Sequence, residues 1–347
     1  MIIKKIAAAV LTVAMAAVAF TGCSKTYEKV VTVDGVDIAP GNYLLAQYQA
    51  YLAAGELVGD DSVDLLDTLI EDTDSKEWMH NKTIENLKLQ IWTDSTFDEM
   101  GLELTQEELD YIDSQVEYYW EYVQEEYVPN GIGMETYRKN AVNSYKLEMI
   151  FAALYGEGGA REPSDEEYKA YMATQFARIK GFELPKTDAQ KNFVTAQQLV
   201  QIVAYCEEAV AELNSGADFE ATQVKYMTLA GELMGDETDY SDVPVQYTQQ
   251  RFLSKSKVES GEEMLTANAF VMDVNGEFAY DETNEGFIIY QRVENTTDAK
   301  ELDYYKSQLI GGMKGEEFAE YSAAQASGLS VVEDTASVKF HSLEKIK

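Results

Sequence analysis

The chain has 347 residues, 46% of them hydrophobic and 26% charged, which is a globular composition with enough length for about two domains. Disorder and a mini-protein are excluded. Lys and Arg number 27 against 62 Asp and Glu, so a net charge of −35 repels phosphate backbones and anionic head groups and speaks against nucleic-acid partners.

Lys4 and Lys5 precede an uncharged apolar run, Ile6 to Phe20, and Thr21-Gly22-Cys23 follows. A basic start, an apolar stretch too short for a comfortable bilayer span and small residues at its end predict a secretion signal over residues 1–22. Its tail resembles a bacterial lipobox, with Phe20 where leucine is usual. The resemblance implies cleavage before Cys23 and lipidation of that cysteine, anchoring the body to the outer face of the cytoplasmic membrane. An ordinary cut after Ala17-Val18-Ala19 is the alternative. Loss of residues 1–22 removes two lysines and no acid, leaving −37.

Val30 to Ile38 alternates around Asp34-Gly35 and predicts a small strand pair or a strand entering a tight turn. Pro40 starts a helix with Leu44, Tyr48, Tyr51 and Leu52 as its stripe, and Gly59 to Asp74 reads as an acidic connector. From Ser75 a helix runs to about Gly101 with His80, Ile84, Leu87 and Ile91 on its buried edge, which makes His80 a packed or capping residue rather than a catalyst. Thr105 to Glu108 is a capping box; the helix behind it carries Tyr111, Ile112, Val116, Tyr119, Trp120 and Val123 as a core face, with Tyr118, Tyr122 and Tyr127 beside it. A groove for unfolded apolar peptide is the sharper reading of those rings. Another helix spans about Met134 to Leu154, and Gly156 to Gly159 breaks it.

A second capping box, Ser164 to Glu167, opens an α+β stretch: a helix bearing Tyr168 and Tyr171, a strand over Ala177 to Leu184, a loop over Lys186 to Asn192 and a helix over Phe193 to Leu213. Cys206 sits on that helix's apolar face and reads as core. Gly216 and Asp218 make a stop and restart; a turn over Ala269 to Glu277 and a strand from Gly286 to Tyr290 follow. Ala299 to Ser327 is a helix with Leu302, Tyr305 and Leu309 in register, and the end reads as a short extended segment and a tail.

Three stretches carry a family resemblance. Leu213 to Phe219 resembles the parvulin "L-x-x-G-A-D-F" helix end, Ala269-Phe270 to Gly276-Glu277 the "A-F-x-L-x-x-G-E" turn, and Gly286 to Ile289 the closing "G-Y-H-I-I" strand. With the signal and the capped helices, the chain resembles exported foldases of the PrsA and SurA type. The resemblance implies an α+β fold: a mostly helical, SurA-N-like chaperone lobe over residues 23–160, an inserted parvulin-like domain over 164–296, and a helix and tail over 298–347 returning to the lobe. It implies unfolded secreted polypeptides as partners, an apolar cleft lined by Leu265, Phe270, Met272 and Phe287, and no cofactor.

Parvulin isomerases hold two histidines, one in the "R-x-K-H-I-L" strand and one in the closing strand. Here Gly181 follows Arg178-Ile179-Lys180 and Ile288 follows Gly286-Phe287, so neither position holds histidine, and His80 and His341 lie outside the insert. Gly231 to Gly235 is a loose remnant of the family's "G-G-D-L-G" loop. The resemblance then implies a chaperone without catalytic residues. A peptidyl-prolyl isomerase acting without histidine and a surface lipoprotein with one dedicated partner remain alternatives. No P-loop, G-x-G-x-x-G or G-x-S-x-G stretch occurs. Asp236, Glu237, Asp239 and Asp242 cluster without the spacing of a calcium loop, and no metal is assigned. Oligomeric state is left open.

Overall fold

The computed structural model describes residues 27–60, 62–188, 191–236, 240, 249–260, 268–295 and 299–346. The signal segment, Cys23 and Leu265 lie outside them. In chain order the elements are β1 (Val31–Val33), β2 (Val36–Ile38), α1 (Pro40–Val58), β3 (Leu69–Ile70), β4 (Thr73–Asp74), α2 (Ser75–Glu99), α3 (Gln106–Tyr127), α4 (Met134–Tyr155) and α5 (Asp165–Gln175). Then come β5 (Phe176–Pro185), α6 (Ala196–Asn214), α7 (Phe219–Met234), β6 (Gln249–Ser254), α8 (Lys255–Ser260), α9 (Asn268–Val271), β7 (Ala279–Glu282), β8 (Gly286–Val293), α10 (Ala299–Ser327), β9 (Val331–Glu333) and α11 (Thr335–Phe340). The fold is α+β. It divides into two compact units: the chain up to Leu147 together with the stretch from Ser322, and Glu148–Tyr321.

In the first unit Asp34 and Gly35, at φ +47° and +81°, form the two-residue turn that closes β1 on β2, and glycine meets the second left-handed position without strain. β1 pairs on its other side with β9, so the end of the chain completes a sheet begun at its start. Val30, Val31, Val33, Ile38, Tyr43, Ala46 and Leu87 form the core against it. Two side chains fasten the C-terminal stretch: Ser337 Oγ donates to the Lys29 carbonyl at 3.0 Å, and Gln47 Nε2 to the His341 carbonyl at 3.0 Å. The tail is therefore more structured than expected, with α11 following β9. The connector is also more ordered, because Glu71 and Asp72 take positive φ and close a β3–β4 hairpin.

Helix faces differ in phase from the sequence reading. α1 buries Tyr43, Ala46, Ala50 and Ala54 together with Tyr48 of the expected stripe, and Leu52 is exposed. α2 buries Met79, Thr83 and Leu87, which puts His80 one position off the core line; it is half-buried, with Nε2 3.2 Å from Glu333. Thr83 can face the core because its hydroxyl donates to the Met79 carbonyl at 2.7 Å.

In the second unit, β6-β5-β8-β7 form an antiparallel sheet. One face packs on α6 and α7 through Phe182, Leu184, Ile202, Cys206, Leu213, Phe219, Phe287 and Ile289. Cys206 is fully buried, which pushes its thiol up to about 12 and leaves it unreactive. α6 starts at a Thr195–Gln198 capping box, three residues later than the Phe193 expected. Gly231 to Met234 form the last turn of α7 and Gly235 is its left-handed cap, so the loop remnant is helix. α5 and α10 join through Tyr168, Met172, Leu302 and Leu309. Asn295 clamps α5 to the sheet: its amide donates to the Met172 and Phe176 carbonyls at 2.8 and 3.0 Å, and its oxygen accepts from Arg178 N–H at 3.0 Å.

Candidate functional site

Strand alternation decides which residues share the sheet face opposite α6 and α7. Gly181 pairs with Tyr290, and Ile288 pairs with Glu183 on one side and Asp281 on the other. Gly181 and Ile288 are thus diagonal neighbours on one face, and Ala177, Ile179 and Tyr290 share it. A side chain at 181 has no room: its Cβ would stand 2.4 Å from the Ile289 carbonyl oxygen and 2.9 Å from Tyr290 Cβ.

Most polar groups of this face are engaged with protein partners, the buried Arg292 Nε excepted. The Tyr290 hydroxyl donates to the Asp281 carboxylate, and Thr283 Oγ1 donates to Glu183 at 3.0 Å. Arg292 Nη1 donates to the carbonyls of Phe270 at 2.9 Å and Met272 at 3.2 Å, holding α9 and the turn after it over the face. Phe270 and Met272 rest there half-buried, while Val271 between them is 80% exposed. Of the residues expected to line a cleft, these two come together. Phe287 points the other way, into the core beneath α6 and α7, because adjacent residues of a strand take opposite faces. Arg292 was not a sequence candidate; a positive residue two places after Tyr290 on the same face was the available signal. The sheet supplies an apolar shelf and no imidazole, and Tyr290, 1% exposed, has no open path to a ligand.

The first unit presents a different kind of surface. α3 buries Ile112 and Val116 alone, so Tyr111 and Tyr119 are not core residues as expected: Tyr111, Tyr118, Tyr119 and Tyr122 are 57%, 56%, 49% and 66% exposed. The Tyr118 ring centroid lies 5.1 Å from that of Tyr119 and 5.4 Å from that of Tyr122, and the Tyr122 hydroxyl donates to that of Tyr118, which raises its pKa. The aromatic residues of the helix are sorted by face, since Trp120 and Tyr127 turn inward to Tyr137 and Tyr48 with centroid separations of 5.4–6.3 Å. Eight acids and no base occupy the same helix.

A cleft of about 740 Å³ in the second unit has Phe151, Tyr168 and Ile310 among its walls, with Glu148, Glu157 and Glu162 around them. Its Lys306 is held by Asp165 at 2.7 Å and Asp303 at 2.9 Å, which raises the ammonium pKa further. Of the acidic loop cluster, Asp236 accepts from the Tyr240 hydroxyl at 2.9 Å; the other three residues lie outside the described ones. Among the described residues no three His, Cys, Asp or Glu side chains gather as a metal would require. Nor, among them, is any helix long and apolar enough to cross a membrane.

No protein-family model and no curated protein matches the chain. Among solved structures it is similar to the foldase PrsA from Streptococcus pneumoniae at 17% identity, over 81% of this chain and 98% of that one, with a TM-score of 0.35. It is similar to PrsA from Bacillus subtilis at 13% identity, over 86% and 92%, with a TM-score of 0.30. It is also similar to PrsA from Lactococcus lactis at 10% identity, over 92% and 100%, with a TM-score of 0.36.

Proposed function

We propose that this chain is an extracytoplasmic chaperone, held at the outer face of the cytoplasmic membrane by a lipid on Cys23, that binds unfolded exported polypeptides and does not isomerise prolyl bonds. The observation that carries the reading is the outward tyrosine face of α3. Large rings with few rotatable bonds bury area at low entropic cost, and phenol hydroxyls keep such a face wet and its contacts reversible. The eight acids beside them keep a loaded complex charged and apart from its neighbours. Phe270 and Met272 add a smaller apolar contact on the sheet of the other unit; Leu265 stays part of this proposal through the motif alone, and Phe287 is left to the core.

Catalysis is left out of the reading on chemical grounds. Lowering a barrier of ~20 kcal/mol to amide rotation needs groups aimed at the amide. At the motif's two histidine positions stand a glycine pressed against β8 and a buried isoleucine.

The test is suppression of aggregation of a chemically denatured protein diluted into buffer. The mature chain is expected to raise the soluble fraction, and a Tyr118→Ser, Tyr119→Ser, Tyr122→Ser variant with unchanged circular dichroism is expected to lose most of that gain. Full retention by the folded variant would remove the tyrosine face from the account. Binding to one native partner and to no denatured protein would replace the chaperone with a dedicated-partner lipoprotein.

A further inference from the structure

Three helices of the first unit, α1, α2 and α4, enclose a trough of about 170 Å³ whose wall is built of side-chain amides: Asn42, Gln49, Asn86, Gln90, Asn140 and Asn143. Leu45, Leu89 and Leu147 form its apolar floor, and no charged residue lines it. That neutrality is conspicuous in a chain where 62 residues are acidic. The helices use most of their own backbone groups internally, so side chains, these carboxamides and the Ser144 hydroxyl, supply the trough's polar groups. Asn143 Nδ2 donates to the Gln90 carbonyl at 2.9 Å and Asn86 Nδ2 reaches the Ala46 carbonyl at 3.4 Å. Among the described residues the carboxamides of Asn42, Gln49, Gln90 and Asn140 make no hydrogen bond to protein. Asparagine at interior helix positions, as at 86, 140 and 143, is a poor choice for the helix itself, and a local conflict of this kind marks a site used for something else.

The trough does not stop at its amide zone. A second depression of about 290 Å³ shares Asn42 and Gln90 with it and continues over Ile38, Ile91 and Val142, with Asp37, Asp94, Arg138, Lys139 and Lys146 also in its wall. Its three bases are paired, Lys146 with Asp94, Arg138 with Asp113 and Lys139 with Glu135. Each carboxamide offers a donor and an acceptor on one plane, the pattern that a peptide unit offers in return. An anion is disfavoured by the field of the molecule and by the carboxylates that already hold the three bases of the second depression, and a cation would find no carboxylate in the amide zone. A sugar ring would look for an aromatic face, and neither depression has an aromatic ring in its wall.

We infer that this trough binds the main chain of an extended polypeptide through the side-chain amides of α1, α2 and α4, independently of the polypeptide's sequence. The inference rests on the chaperone reading and gives it a second contact, in which the client's backbone is the common feature and the tyrosines of α3 take its apolar side chains. A holder of many clients gains from this division, because every unfolded chain exposes peptide groups whatever its sequence.

The experiment needs no altered protein. Affinity of the mature chain is measured for a short fluorescent peptide of Ser, Thr, Ala and Val, for a scrambled version, and for a version methylated at every second backbone nitrogen. Loss of two or three neutral hydrogen bonds predicts binding weaker by about tenfold or more for the methylated peptide, with the scrambled one unchanged. An Asn140→Leu, Gln90→Leu variant is expected to bind both peptides equally weakly. Equal binding of methylated and plain peptide by the wild-type chain overturns the inference, as does a strong dependence on scrambling. Binding of a neutral oligosaccharide in place of the peptide overturns it too. Suppression of aggregation that persists without methylation sensitivity removes the trough and leaves the chaperone reading; loss of both suppression and peptide binding removes both.

Discussion

The sheet face of the second unit that lies under α9 and the outer face of α3 both gather aromatic and acidic side chains, yet they are built for different ends. On the sheet, Tyr290 is spent on Asp281, Glu183 receives Thr283, and Arg292 holds down α9. On α3, the Tyr118 ring lies 5.1 Å from that of Tyr119 and 5.4 Å from that of Tyr122, and all three face outward among carboxylates. Chemistry requires polar groups aimed at a substrate, whereas holding requires area left uncovered. Apart from Arg292 Nε, the sheet face holds these polar groups in contacts of its own, and the helix has left its rings exposed.

The largest effect that sharpens this contrast is expected at Phe287. Because it sits in the core beneath α6 and α7, Phe287→Ala costs about 3–5 kcal/mol of stability, read by denaturant unfolding, while residual folded protein still suppresses aggregation. Lost suppression at unchanged stability would return Phe287 to a binding surface. Next comes Gly181→His, which restores a motif residue at a position pinched against β8. Its expected outcome is a loss of about 1–3 kcal/mol with no gain of isomerase activity. A stable and catalytically active variant would show that the face can still host catalysis.

Arg292→Gln tests whether α9 depends on its tie. Losing charge-assisted hydrogen bonds to two carbonyls predicts about 1.5–3 kcal/mol at most, and faster amide exchange confined to residues 268–272. Uniform exchange across the sheet would contradict a local clamp. The tyrosine face should respond in the opposite sense, since exposed Tyr118→Ser and Tyr122→Ser change stability by no more than about 0.5 kcal/mol while reducing client binding.

The smallest effect concerns pH. The Thr105 backbone and hydroxyl hold Glu108 below the ordinary glutamate value of 4.5, and Ser164 does the same for Glu167. A folded-state pKa below the unfolded one means that the contribution is fully present above the unfolded value and fades as pH falls through the folded one. Between about pH 5 and 3 the wild-type Tm should fall slightly more than that of Glu108→Gln. Parallel curves would show that the capping box has no titratable share in stability.

Local signals were the most legible. Thr105-Glu108 and Ser164-Glu167 form the reciprocal caps that their spacing promises, and α10 spans Ala299 to Ser327 with Leu302 and Leu309 buried. Helix phase was harder to read, because tyrosine satisfies both a core and a surface pattern. Tyr111 and Tyr119 fit the stripe of α3, yet Ile112 and Val116 occupy the core line. The pairing of β1 with β9 joins residues about 300 positions apart in sequence, and three-residue strands give no alternation to betray it. On the sheet face, positions 181 and 288 could be found from the motif stretches. The steric closure at Gly181 and the grip of Arg292 on α9 could not, since both depend on backbone atoms of another element. The amide trough was also hidden: Asn and Gln on helices read as solvent-facing residues until three helices place them around one space.

Holding unfolded polypeptide without isomerising it is checked by refolding a denatured protein whose slow phase is limited by a prolyl bond, with the soluble form starting at Ser24 present. Rate and final yield are followed together. An unchanged slow-phase rate and a raised yield are expected; an accelerated slow phase, abolished by Phe270→Ala or Met272→Ala, would overturn the chaperone reading and make the sheet face an enzyme's.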